Sequence, residues 1–140
     1  MMHISPQHAL AQLAATLAFV DAAPGASVIH LYAAASAATG TTPQDAPLAS
    51  IAMAQPCGTI TGGTLVLHPA DLSGAMVQAT GIPRAAHWVR ADGVLVAAGT
   101  VTDATGNGDF RVGGAATAQG ETSPTLYAGG KVLLSDVVLT

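Results

Sequence analysis

A chain of 140 residues is long enough for one domain with a core of its own, here taken as residues 1–140. Its lone cysteine, Cys57, excludes an internal disulfide framework and a multi-thiolate metal site. Charged residues make up 9% of the chain, against a usual share of about 25%, while half of all residues are hydrophobic. A net charge of -4 leaves no basic patch for phosphates, which argues against nucleic acid as a partner, and a surface so poor in charge is expected to be covered in part by neighbours.

The N-terminal stretch MMHISPQHALAQLAATLAFVDAAPGA is apolar, yet it has no basic lead-in and Gln12 and Thr16 interrupt it, so a secretory signal is not expected. No run reaches membrane-spanning length, and no membrane partner is expected. Ser5 followed by Pro6 reads as an N-cap and a first helical residue, and Leu10, Leu13, Leu17 and Val20 recur at helical spacing. The pattern predicts one amphipathic helix over 6–20, ending before Pro24-Gly25.

From there the chain reads as short apolar runs punctuated by Gly, Pro, Asn, Asp, Ser and Thr. The runs are 26–33, 46–53, 63–70, 74–80, the two arms around Asp92-Gly93, 108–114 and 131–140, giving roughly eight strands. The segments 35–45 and 102–109 read as polar loops. Strands without intervening helices predict an all-β sandwich with one short N-terminal helix rather than alternating βαβ units.

RAAHWVRADGVLVAAGTV, residues 84–101, carries the single tryptophan and two of the three arginines. Asp92-Gly93 accepts the backbone of a tight two-residue turn, which sets Ala91 opposite Val94, Arg90 opposite Leu95, Val89 opposite Val96, Trp88 opposite Ala97 and His87 opposite Ala98. Trp88 and Arg90 then share a face. They either cap the protein's own core or grip a partner, since both residue types are enriched at interface hot spots. Leu13 and Leu17 of the helix are the further candidate interface residues, docking on the chain's own strands or on an adjacent subunit.

Patterns that would carry chemistry are weak. In DATGNGD, Asp103 to Asp109, the acidic and glycine positions partly follow a calcium loop, but Thr105 stands at position three and Gly114 at position twelve, where a bidentate carboxylate is needed. His30, His68 and His87 lie in strand-like runs without ligand spacing. Glu121 is the single glutamate, and neither a carboxylate pair nor a flanked nucleophile stands out. The expectation is a protein that is not an enzyme, with no metal, no cofactor and no small-molecule substrate.

Read in order, the helix, VIHLYAA with its polar loop, PLASIAM, AAHWVRADGVLVAAGTV and the final GGKVLLSDVVLT resemble the capsid cement (decoration) proteins of tailed bacteriophages. The resemblance spans nearly the whole length. It implies a jelly-roll β-sandwich without catalysis, placed on the outside of an icosahedral virion. There it would clamp neighbouring subunits of the major capsid protein, as a homodimer made in the host bacterial cytoplasm. The competing reading is a tail, neck or fibre-associated β-module binding a protein or a host glycan. Glycan binders usually display several aromatic rings, and this chain has one Trp, two Tyr and two Phe.

Overall fold

A computed structural model describes residues 2–114, 117, 119–135 and 137–139. It is an all-β body with one N-terminal helix, as expected. Helix α1 spans Pro6–Asp21, and the strands are β1 Val28–Tyr32, β2 Ala49–Thr61, β3 Thr64–Pro69, β4 Ala75–Met76 and β5 Ala85–Val89. They continue with β6 Leu95–Asp103, β7 Phe110–Gly113, β8 Lys131–Leu134 and β9 Val138–Leu139. A 3-10 turn, Ala35–Thr39, follows β1.

Ser5 caps α1 as its residue type dictates: its hydroxyl accepts from the His8 amide at 3.2 Å, and Pro6 fills the first helical position, where an amide donor would be idle. Leu13 and Val20 are buried and Leu17 packs against the same core. Leu10, expected on that stripe, is 42% exposed instead. Apart from half-buried Ala9, residues 6–12 are exposed, so the first two turns overhang the sheet and the apolar stripe extends past anything it could pack on.

The strands form one hydrogen-bonded run in the order β4-β8-β7-β6-β5-β1-β2-β3-β9. Every seam is antiparallel except β6–β7. The run curls until its far strand comes back to β2: Ala49 bridges Val77, just beyond β4, and the Gln78 amide donates to the Leu48 carbonyl at 2.7 Å. Six strands and the first half of β2 therefore form a ring. The second half of β2 leaves the ring to pair with β3, and β3 pairs with β9. One hydrophobic cluster fills the interior, drawing Leu13 and Val20 from α1, Ile29 and Leu31 from β1, Ile51, Met53 and Cys57 from β2, and Val112 and Val132 from β7 and β8.

Nine strands replace the eight expected because the final apolar run splits in two, and the bounds of two other runs also shift. The final apolar run breaks at Ser135, whose amide donates to the Arg111 carbonyl, so β8 pairs with β7 while β9 turns away to β3. The run that begins at Ala49 extends to Thr61 through Pro56. This is possible because the β2–β3 register jumps from Met53↔Pro69 to Gly58↔Leu67, and the bulge takes up the residue that has no amide hydrogen. Gly58 ends that bulge where any Cβ would strike the Val66 carbonyl oxygen. The predicted strand over 74–80 contracts to Ala75–Met76. Thr140 lies outside the described residues.

Candidate functional site

The hairpin reverses at the expected place with a different turn. The Gly93 amide donates to the Arg90 carbonyl at 3.0 Å and the Arg90 amide to the Val94 carbonyl at 2.8 Å, so the loop is three residues, Ala91 to Gly93. Gly93 alone has positive φ, at 94°. This is a type I turn closed by a left-handed glycine, in which Asp92 keeps negative φ and its carboxylate accepts from the Val94 amide. Pairing therefore starts one residue out of the expected register, with Val89 opposite Leu95. A register shift between Trp88 and Val89 takes up Val96 and restores Trp88↔Ala97 and His87↔Ala98, as expected from the sequence. The two one-residue offsets cancel below the bulge.

Trp88 faces the core. It is 2% exposed, and its indole N–H donates to the Ser27 hydroxyl at 3.2 Å. Phe19, Ala15 and Thr16 of α1 border one groove with Trp88, Val96 and Ala97. Arg90 follows on the same side, as predicted, with its guanidinium over the Phe19 ring at 4.4 Å from the centroid and its Nη2 paired with Asp92 at 2.8 Å. Leu13 is buried in the same cluster as Trp88, and Leu17 packs against it. The structure thus brings Trp88, Arg90, Leu13 and Leu17 to the contact between helix and hairpin, where Trp88 caps the core and Arg90 leans over Phe19. The aromatic that joins them, Phe19, was missed in the sequence. Its signal was position: it lies next to Val20 but off the leucine stripe, so helical spacing alone places it outward.

Of the groups weighed for chemistry, His30 and His87 come together and the others lie on separate elements. Among the described residues, no three His, Cys, Asp or Glu side chains gather as a metal site. Asp103 accepts from the amide and hydroxyl of Thr105, whose hydroxyl is the first cause holding its carboxyl below the usual range. Asp109 accepts from the amide and hydroxyl of Thr100, so both carboxylates fasten turns. His68 is bonded to Thr59 on the β2–β3 seam, while His30 and His87 lie opposite each other on β1 and β5. Cys57 is fully buried, and its amide donates to both oxygens of Asp21 at 3.2 and 3.3 Å. Burial pushes the thiol up to about 12, with the Asp21 carboxylate adding to it.

What the surface offers is apolar. The outward side of α1 exposes Leu10, Ala11, Ala14, Ala15, Ala18 and Phe19, and the helix has no charged residue before Asp21. Leu72, Met76 and Tyr127 are exposed around β4 and the turn leading into β8. These too escaped the sequence reading, although a large apolar residue inside a turn signal, as in DLSG or LYAGG, was the available cue. Among the described residues, Arg90–Asp92 is the one ion pair. No family model matches the chain, and neither a curated protein nor a solved structure matches it.

Proposed function

We propose that this chain is a structural virion protein that coats the outside of an icosahedral tailed-phage capsid and cements neighbouring major capsid protein subunits. The order of its sequence motifs resembles the cement (decoration) proteins of such phages, most closely that of a Bordetella tailed phage. In this reading the curled β body serves as a jelly-roll-like scaffold, and the working unit is a homodimer. The proposed role is mechanical, without catalysis, cofactor or small-molecule substrate.

One observation carries the reading. The exposed side of α1 is apolar and free of charged residues before Asp21, and Leu72, Met76 and Tyr127 are exposed around β4 beside Asp71 and Lys131, a surface suited to burial against protein neighbours rather than to binding a polyanion. Of the aromatic rings, only Phe19 and Tyr127 are prominently exposed, a poor platform for stacking sugars. The test is the copy number of this protein relative to the major capsid protein in purified virions. Hundreds of copies per particle fit cement, and a dozen or fewer transfer the protein to the tail or neck.

A further inference from the structure

On the outer side of the ring, one row of residues crosses four adjacent strands: Ser50 on β2, His30 on β1, His87 on β5 and Ala98 on β6. Directly paired residues point to the same side of a sheet with Cβ atoms about 5 Å apart, so the two imidazoles are immediate neighbours. Tyr32, two residues along β1, lies 6.2 Å from His30 and 5.1 Å from His87 between ring centroids, edge-on to the latter.

The 3-10 turn lies over the β5 and β6 end of this row. Ala37 is fully buried with Tyr32 and Ala85 in a small cluster of its own. The Ala37 carbonyl lies 2.7 Å from His87 Nε2, and a carbonyl only accepts, so that nitrogen carries a proton and tacks the turn to β5. His87 is 3% exposed under this cover, while half-buried His30 holds the Ser50 hydroxyl through Nδ1 at 2.7 Å.

We propose that the His30–His87 pair is an acid-sensitive latch for the loop 33–47, which closes over His87, next to His30, at neutral pH and opens when His30 takes up a proton. Burial makes a charge on the ring unfavourable, and opening the loop rehydrates the site, so proton uptake and opening favour each other. Burial first, and His87 second, hold His30 below the ordinary imidazole value of 6.5.

No described carboxylate is bonded to either ring. In β2 the only ionisable side chain is Cys57, in the core. On β6 it is Asp103 at the far end, which is bonded to Thr105. Asp109 is held by Thr100, Arg84 reaches Ser123 beyond the start of β5, the 3-10 turn carries no ionisable group, and the loop's own Asp45 is exposed. Between the lowered value and 6.5 the open or unfolded chain binds more protons than the closed one. The closed state therefore loses stability as pH falls through 6.5.

Amide hydrogen exchange of the full chain at about pH 7.5 and about pH 5, corrected for the intrinsic rate, tests this. The expected result is several-fold faster exchange in acid at Ala37 and Gly40, whose amides bond to Ala34 and Ala37, with Ser135 on the far side of the ring unchanged. His30→Asn should keep the neutral protection and lose the acid response. The same acceleration in His30→Asn, none in the wild type, or an equal rise in every strand overturns the latch. Should that variant not fold, an NMR titration of the wild-type His30 ring decides: loop opening at a pH where the ring has not begun to titrate also overturns it.

Discussion

Ser27 and Trp88 make the hydrogen bond that lets an indole lie in the core, since a buried N–H without an acceptor is costly. Trp88→Ala removes the largest side chain of the helix–hairpin contact and is expected to destabilise the isolated protein by about 3–5 kcal/mol, read from urea denaturation followed by circular dichroism. Ser27→Ala leaves the ring in place and removes only its acceptor, for a loss of about 1–3 kcal/mol. A second prediction concerns Cys57. A buried thiol pushed up to about 12 stays protonated and inaccessible, so native protein near neutral pH should resist thiol alkylation and react fully once unfolded in urea. Because this value stands above the ordinary 9.0, the thiol's stabilising contribution is present below 9 and is lost as pH rises from 9 toward 12. Replacing Cys57 with Ala should flatten the alkaline limb of a melting-temperature profile.

Helix α1 divides by depth, and paired substitutions separate its two sides. Leu13→Ala opens a hole beneath the helix and should cost about 2–5 kcal/mol in chemical denaturation, whereas Leu10→Ala, on the overhanging turns, should leave monomer stability within about 0.5 kcal/mol. If Leu10→Ala also lowers retention on virions, the outward side of α1 is where the protein meets its neighbour. The helix was legible in the sequence because Ser5-Pro6 marks its start by local chemistry and leucine spacing marks its buried side. That Leu10 has nothing beneath it depends on where the sheet ends, which no local pattern encodes. In the hairpin, Asp92-Gly93 announced the reversal and the sharing of a side by Trp88 and Arg90. The turn type stayed hidden because Asp-Gly suits both a two-residue turn and a type I turn with a terminal glycine, and the bulge at Val96 is a response to that choice. The neighbourhood of His30 and His87 joins strands far apart in the chain, so it becomes visible only once β1 and β5 are paired.

For the molecule as a whole, scarcity of charge determines how it can attach to anything. With one lysine and three arginines it has few means of building an ion-pair network across a contact, so attachment must rest on apolar burial and on backbone or hydroxyl hydrogen bonds. At about 1 M salt the screening length falls to about 3 Å and exposed charge pairs weaken, while apolar burial does not. Virions washed at that ionic strength should retain the protein, as judged by gel densitometry against the major capsid protein. Stripping by salt would mean that charges on the partner dominate the contact.

The bridge between Ala49 and Val77 also dictates when the body can assemble during synthesis. A ring has no partial form: β2 is made early, but the strand that carries β4 round to it is β8, at residues 131–134, paired on its other side with β7. A ribosome tunnel still holding those residues keeps the circle open and its apolar interior wet. The emerging chain must therefore wait with β1, β2 and β5 exposed to other nascent chains. Translation speed and chaperone supply, more than the strength of any single contact, should then govern how much of this protein reaches its folded form.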